Sequence, residues 1–293
     1  MNVTTPILRD RAAALREMIS PCRLCPGACG VDRLAGDVGR CGVTARPRIA
    51  TYGPHFGEEE MLVGDGGSGT VFFSGCNLAC VYCQNAEISQ LREGIDLSDD
   101  ELAEVFLRVQ RMGCANLNLV SPTHQAHAIV SALARCAAEG FHLPVVWNSG
   151  GYDALRVLQL LDGIVDIYMP DVKYGSNEPA ERFSGVSDYV EVSREAVWEM
   201  HRQVGLLAID ADGMARRGVL VRHLVLPNDL VGSEAVMNYL GTAVSPHTYV
   251  HVMNQYRPCH RAGEVPELDR AVTKEEHARA VRAAVDAGLH HLV

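Results

Sequence analysis

No stretch of this 293-residue sequence stays apolar for long enough to span a bilayer. The N-terminus, MNVTTPILRDR, lacks the apolar core of a secretory signal and carries Asp10 early, so the chain is expected in the cytoplasm, with no membrane partner. Basic residues are outnumbered. The 26 Lys and Arg face 36 Asp and Glu, and the resulting net charge of −10 has the wrong sign for a phosphate backbone, so no nucleic-acid partner is expected. Low-complexity linkers are absent, and so are internal repeats beyond an alternation of strand-like and helix-like segments. What remains is the composition of a folded chain: 47% apolar and 21% charged residues, sufficient for one large α/β domain or two smaller ones.

Ten cysteines are present. In the cytoplasm they read as metal ligands and functional thiols rather than disulfides, and seven of the ten fall in two clusters. One lies in GSGTVFFSGCNLACVYCQN (residues 67–85), where Cys76, Cys80 and Cys83 follow C-x3-C-x2-C on a loop that leaves a strand-like run, Thr70–Ser74, at Gly75. Three thiolates at this spacing hold three irons of a cubane [4Fe-4S] cluster and leave the fourth iron open. A zinc site wants a fourth ligand, which this loop does not offer. Tyr82 puts an aromatic face beside the cysteines. The other cluster, Cys22, Cys25, Cys29 and Cys41, follows C-x2-C-x3-C-x11-C in a glycine-dense stretch with too few large apolar side chains to fold on packing alone. Bound metal would supply the missing free energy. Four thiolates suit zinc or a second [4Fe-4S] cluster, and Pro26 after Cys25 favours the cluster.

Helix-forming residues with apolar spacing predict an N-terminal helix over residues 6–19. Residues 48–63 read as short strands and turns, with His55, Glu58 and Glu59 on a solvated turn. From Thr70 onward strands and helices alternate. The strands are Thr70–Ser74, Asn116–Val120, Pro144–Asn148, Ile164–Met169, Val219–Leu226 and Tyr249–Asn254. The helices between and after them are Ser98–Met112, Thr123–Glu139, Tyr152–Leu161, Glu178–Phe183 with Val190–Val204, Ser233–Val244 and Thr273–Ala287. Ser98 with Glu101 forms a capping-box pattern, and residues 209–218 read as a turn, not a calcium loop. Six β/α units in series imply a parallel sheet with right-handed crossovers, and six units instead of eight an open, partial (β/α)6 barrel of the TIM type. Residues 1–66 form the N-terminal helix and Cys-rich module, and residues 67–293 the barrel.

In such barrels the active site lies at the C-terminal ends of the strands, and that rule selects the polar candidates. They are Ser121, Thr123 and His124 after the second strand, Asn148 after the third, and Asp171 and Lys173 after the fourth. Arg222 interrupts the apolar run VLVRHLVLP, so it must face a polar interior or a ligand. Asn254 and Gln255 end the sixth strand. Cys259 belongs to neither cysteine cluster and lies just past that strand, whereas Cys114 and Cys136 look like packing residues.

The cysteine loop resembles that of the radical S-adenosylmethionine (SAM) enzymes, with Tyr82 before the third cysteine. The joint pattern CRLCPGACGVDR, GSGTVFFSGCNLACVYCQN, DIYMPDVKY, RGVLVRHLVLP and NQYRP resembles the PflX-like family, related to the activating enzyme of pyruvate formate-lyase, from Cys22 to the last helix. The resemblance implies a cluster at Cys76, Cys80 and Cys83 that binds SAM at its open iron, with reductive cleavage to methionine and a 5′-deoxyadenosyl radical that takes a hydrogen atom from a substrate carbon. It implies an electron donor such as flavodoxin or ferredoxin. The D-x-K pair, Asp171 and Lys173, resembles the motif of glycyl-radical activating enzymes, with Asp171 accepting ribose hydroxyls and Lys173 pairing with the methionine carboxylate. Arg222 suits a SAM carboxylate or the substrate, and Asn254 and Gln255 suit adenine or a carboxylate. The family's Gly-Gly-Glu for the SAM amino group is missing after the second strand, which leaves Ser121, Thr123 and His124 in its place. Two function classes follow. One is a small-molecule enzyme, acting on a sugar or aminoglycoside, in which Cys259 returns a hydrogen atom in a redox-neutral epimerisation. The other installs a glycyl radical on a partner protein.

Overall fold

The protein is described by a computed structural model covering residue 1 and residues 3–293. In chain order its strands are β1 (Arg48–His55), β2 (Ser68–Phe73), β3 (Ile95–Asp96), β4 (Leu117–Val120), β5 (Val145–Ser149), β6 (Ile167–Pro170), β7 (Ala208–Ile209), β8 (Ala215–Leu224), β9 (Tyr249–Met253) and β10 (His291–Leu292). The helices are α1 (Thr5–Glu17), α2 (Glu60–Val63), α3 (Ala86–Ser89), α4 (Asp99–Arg111), α5 (Ala126–Cys136), α6 (Leu155–Leu161), α7 (Asn177–Ser184), α8 (Tyr189–Val204), α9 (Ser233–Tyr239) and α10 (Lys274–Asp286).

The sheet runs β10-β9-β8-β6-β5-β4-β2-β1-β3. Strands β2, β4, β5, β6, β8 and β9 pair parallel in that order, which is the expected series of six β/α units in an open, partial barrel. Two pairings go beyond that series. The β1 strand pairs antiparallel with β2 and carries β3 on its outer edge, and β10 extends the other edge beside β9. The expected boundary after residue 66 thus falls inside the β1–β2 hairpin. Residues 209–218 hold the corner of a second hairpin, β7 against β8. There the Asp210 carboxylate accepts from Asp212 N at 3.0 Å and Met214 N at 2.9 Å, so the carboxylate closes a turn.

The period of two along each strand separates the core into two sides. One set of side chains, including Leu117, Leu119, Val145, Trp147, Tyr168, Val219 and Val221, packs against the surrounding helices. The other set faces inward. At the N-terminal ends of the strands it is apolar: Val146, Ile167 and Leu220 pack with Leu62 of α2, which fills the barrel floor. Two residues further along the same strands the inward set turns polar, with Asn148 following Val146 and Arg222 following Leu220. Asp171 ends the row at the edge of β6. The alternation that builds the sheet therefore delivers charge to its C-terminal end.

Outside the barrel, α4 has the foreseen capping box: Ser98 Oγ accepts from Glu101 N at 3.2 Å, and the Glu101 carboxylate accepts from Ser98 N at 2.7 Å. The helix buries Leu102, Val105, Phe106 and Val109. The segment after β4 opens as a single 3₁₀ turn, Thr123–Gln125, before α5 begins, because the side chains of that turn are taken up in tertiary contacts. Cys114 and Cys136 are buried in the helix-facing core, as expected of packing residues. Among the described residues no helix is long and apolar enough to cross a membrane. Ser98→Ala is expected to destabilise the protein by about 1 kcal/mol in chemical denaturation. A loss below about 0.3 kcal/mol would show that the cap contributes nothing beyond solvent.

Candidate active site at the carboxyl ends of the strands

A cavity of about 190 Å³ opens at the C-terminal ends of β4, β5, β6, β8 and β9. Cys76, Cys80 and Cys83 line it on one side together with Tyr82. Ser121, Asn148, Asp171, Lys173, Arg222 and Gln255 line it on the other. Ten of the residues expected from the sequence are thereby brought around one space.

The loop that carries the three cysteines is shaped by Gly75 and by a hydroxyl chain. Gly75 has φ +81°, and a Cβ there would run into the Cys41 carbonyl, so the Cys-rich N-terminal stretch lies directly behind the loop. Ser184 Oγ stands 2.9 Å from Cys80 Sγ and 2.7 Å from Tyr174 Oη, which in turn stands 2.7 Å from Tyr82 Oη. Ser89 Oγ is 3.1 Å from Cys83 Sγ, and Leu78 N donates to Cys76 Sγ at 3.4 Å. Burial, followed by the charge of neighbouring Cys80, pushes the Cys76 thiol up to about 12, and burial likewise raises Cys80. Such thiols stay protonated at neutral pH unless a cation replaces their protons. Three soft donors on one loop, each supported by a hydrogen bond to sulfur, and a cavity beside them fit an iron–sulfur cluster with an open position.

Across the cavity, burial alone would raise the Asp171 carboxyl, but Arg222 and Lys173 overrule it and hold the group down at about 2. Asp171 Oδ2 accepts from Lys173 Nζ at 2.8 Å and Oδ1 from Arg222 Nε at 2.9 Å. Arg222 Nη2 donates to Asn148 Oδ1 at 2.7 Å. Burial works against the Lys173 ammonium, yet Asp171 and the nearby Cys80 leave its pKa raised. Lys173 is one of only two lysines in the chain, a compact point charge where guanidinium is otherwise the rule. Tyr189 on α8 fixes this arrangement: its hydroxyl lies 2.7 Å from the Asp171 carbonyl and 2.9 Å from the Gly150 carbonyl, and it accepts from Lys173 N at 2.9 Å. Tyr174, Ser184 and Tyr189 were not foreseen as site residues. The only sequence signal was the position of Tyr174 directly after the D-x-K pair.

Four expected residues lie elsewhere. Thr123 Oγ1 donates to buried Asp153 at 2.7 Å. His124 Nε2 donates to the Ser74 carbonyl at 2.8 Å, and Gln125 Nε2 joins it at 2.9 Å, so both side chains clamp the end of β2 and leave the cavity wall to Ser121. Asn254 is exposed and outside the lining. Cys259 is half-buried and also outside the lining, on a loop whose Arg261 N donates to Val81 O at 2.8 Å. A fifth departure concerns Glu58 and Glu59, read from sequence as a solvated turn. Their side chains are 9% and 3% exposed because Arg222 and His251 draw them into the barrel.

Behind the cluster loop, Cys22 and Cys41 are buried, Cys25 is intermediate and Cys29 exposed. Burial pushes the Cys25 thiol up to about 12, and the charges of Cys41, Cys22 and Cys29 add to it. The four cysteines of this stretch are the donor type that a thiolate-bound metal centre takes. Among the described residues no three His, Cys, Asp or Glu side chains are close enough as they stand to clasp a single ion. Buried Arg33 ties this stretch to the barrel, with Nη1 donating to the His124 carbonyl at 2.8 Å and Nη2 to the Thr44 carbonyl at 2.7 Å.

Residues 70–227 match the family model of the radical SAM superfamily. The chain is 32% identical over 293 residues to the uncharacterized protein MJ0674 of Methanocaldococcus jannaschii, an alignment that covers 97% of this chain and 80% of that one. Its fold is similar to that of native anSMEcpe with bound AdoMet, at a TM-score of 0.50 and 12% identity over 75% of this chain. It spans 61% of that structure's length. The FeFe-hydrogenase maturase HydG from Carboxydothermus hydrogenoformans superposes with a TM-score of 0.49 and 15% identity, covering 73% of this chain and 49% of that one. An open parallel sheet with three cysteines on the loop after its first parallel strand defines a class of iron–sulfur enzymes, and this chain belongs to the radical SAM superfamily. It is accordingly an enzyme of the class that uses a [4Fe-4S] cluster and SAM.

The two histidines on the 3₁₀ turn and α5 make the fold sensitive to acid. Burial holds His124 neutral, with its pKa lowered to about 4, and His127 likewise, to about 3. His127 Nε2 donates to the Ala45 carbonyl at 2.9 Å. A folded-state pKa below the unfolded value of about 6.5 contributes stability that is complete above that value and lost as pH falls through it. Lowering the pH from about 7 to about 5 is expected to cost about 2 kcal/mol for each buried histidine. His127→Gln is expected to flatten the stability–pH curve over that interval, and an unchanged slope in that variant would contradict the assignment.

Proposed function

We propose that the cavity at the strand ends binds SAM against a cluster held by Cys76, Cys80 and Cys83, and that the enzyme abstracts a hydrogen atom from a substrate carbon. The observation that carries this reading is the meeting of three buried thiols and the Lys173–Asp171–Arg222 ion-pair chain in one cavity. When bound, the cluster supplies the electron that cleaves SAM reductively to methionine and a 5′-deoxyadenosyl radical. The chain's own residues bind and orient. Lys173 pairs with the methionine carboxylate, Asp171 accepts ribose hydroxyls, and Arg222, itself bonded to Asn148, holds Asp171 in place. Ser121, at φ +57°, offers its hydroxyl where the amino group would lie, and Gln255 its amide to the adenine edge. Tyr82 packs beside the cluster and keeps water from it. Cys22, Cys25, Cys29 and Cys41 hold a second metal centre, which we read as a [4Fe-4S] cluster with zinc as the alternative. Flavodoxin or ferredoxin would serve as electron donor.

For the substrate we favour a small molecule, such as a sugar or aminoglycoside, with Cys259 returning the hydrogen atom. The backbone bond from Arg261 to Val81 ties the Cys259 loop to the cluster loop, and neighbouring Tyr256 and Arg257 line the cavity, which supports a thiol within reach of its mouth. In that step the S–H bond breaks and a C–H bond forms, and the sulfur radical left behind regains an electron from the donor and a proton from solvent. The alternative, a glycyl radical installed on a partner protein within the PflX-like family, rests on the D-x-K pair.

Two measurements test these assignments. In anaerobically reconstituted protein with dithionite, Lys173→Ala is expected to bind SAM about tenfold more weakly and to form 5′-deoxyadenosine more slowly. Lys274→Ala, which changes the other lysine of the chain, is expected to match the wild type. Equal affinities in the two variants would contradict the Lys173 assignment. In deuterium oxide the product of the wild type is expected to gain one deuterium at the reacting carbon, since a thiol exchanges with solvent, and Cys259→Ala is expected to consume SAM without releasing that product. An unlabelled product with full turnover in Cys259→Ala would reject the thiol and favour the protein substrate.

A further inference from the structure

Residues 58–60 are three consecutive glutamates with three different fates. Glu60 begins α2 and is exposed. Glu58 and Glu59 turn inward, with side chains 9% and 3% exposed. The segment cannot swing away, because Leu62 is fixed in the apolar floor and its carbonyl accepts from Asn116 Nδ2 at 2.7 Å. Glu58 Oε2 accepts from Arg222 Nη1 at 3.3 Å, and Glu59 Oε1 meets His251 Nδ1 at 2.8 Å. Glu58 does not line the cavity, whereas the other two partners of Arg222, Asp171 and Asn148, do.

We propose that Glu58 is a positioning residue for SAM, holding the Arg222 guanidinium from the floor side so that Asp171 stays shared with Lys173 at the cavity wall. The inference rests on the reading that this cavity takes SAM. The Arg222 side chain is long, and its guanidinium is a rigid planar fork. With only Asp171 and Asn148 as partners, the fork can rotate and take both carboxylate oxygens of Asp171, which strips Lys173 of its partner. A second carboxylate on Nη1 forbids that geometry and balances the charge: two carboxylates, Glu58 and Asp171, against two cations, Arg222 and Lys173. Binding geometry held to within a fraction of an ångström is what such fixed partners provide. The family match begins at residue 70, so this partner comes from outside the matched segment.

The arrangement also predicts a pH dependence. Facing Glu58 are Arg222 from β8, Asp171 from the end of β6, His55 from β1 and Glu59 beside it, with His251 of β9 facing Glu59. Burial raises the Glu58 carboxyl, Arg222 opposes, and Glu59 adds to the rise. Glu58 therefore takes up its proton above the ordinary carboxylate range, and the guanidinium loses its floor anchor as pH falls.

The test is SAM binding by equilibrium dialysis to the anaerobically reconstituted protein between about pH 5.5 and about pH 8.5. Glu58→Gln is expected to weaken binding about tenfold near neutral pH and to remove the acid limb of the wild-type affinity profile, while Glu60→Gln matches the wild type. In an Arg222→Lys background, Glu58→Gln is expected to add no further loss, because the two residues act as one unit. Thermal unfolding checks that each variant is folded. Should Glu58→Gln fail to fold, Glu58→Asp, which keeps the charge but falls short of Nη1, is expected to weaken SAM binding and keep the acid limb, and wild-type affinity in that variant would overturn the proposal. Weakened binding in Arg222→Lys with Glu58→Gln within about twofold of wild type overturns the positioning role alone. Both variants within about twofold of wild type overturn the SAM reading of the cavity and the proposal with it.

Discussion

The ion pair of Asp171 and Arg222 is the contact on which the barrel interior depends. It joins β6 to β8 twice over, since the side chains meet at 2.9 Å and Val172 N donates to the Arg222 carbonyl at 2.8 Å. Removing one partner leaves a buried charge uncompensated, at a cost of about 3–5 kcal/mol. Replacing both by apolar residues of the same volume is often neutral. The pair therefore adds little net stability compared with an apolar interior, and what it gives the fold is a polar wall at the strand ends.

That wall follows from the period of the strands. Positions two apart share a face, so the residues that seal the floor, Val146 and Leu220, are succeeded on the same strands by Asn148 and Arg222. The floor keeps water out, and in a dry interior each polar group needs a partner. Asp171 finds two cations, Arg222 finds three acceptors, and Tyr189 fixes the turns after β5 and β6. On the opposite side of the cavity the thiols have hydrogen-bond partners, but burial holds two of them protonated. The thiols of Cys76 and Cys80 are raised by burial, against which the charge of Lys173 works. One half of the cavity is satisfied within the protein, and the other half presents three soft donors of the kind an iron–sulfur cluster takes.

Much of this was legible in the sequence. The six parallel strands, the capped helix from Ser98, the cysteine loop and the D-x-K pair were read from local patterns that need only a few neighbouring residues to decide them. What escaped was set by contacts between distant segments. Glu58 and Glu59 look like a solvated turn until β8 and β9 bring Arg222 and His251 to them, 164 and 192 residues away. His124 and Thr123 sit at a strand end, where the barrel rule makes them candidates, but their side chains are already bonded to Ser74 and Asp153. The short strands expected in residues 48–63 run together as the single strand β1, whose outer side is paired only at Arg48 and Ile49, so Gly53 and Pro54 are tolerated beyond them.

The central claim is that the three-cysteine loop holds a cluster with an iron open to SAM. Electron paramagnetic resonance of the anaerobically reconstituted, dithionite-reduced protein, recorded with and without SAM, tests it most directly, because SAM bound at an open iron alters the signal of that cluster. The account expects a reduced cluster signal that shifts on addition of SAM in the wild type and is missing when Cys76, Cys80 and Cys83 are all changed to Ala. A wild-type spectrum identical with and without SAM, at SAM concentrations that saturate binding, would contradict it.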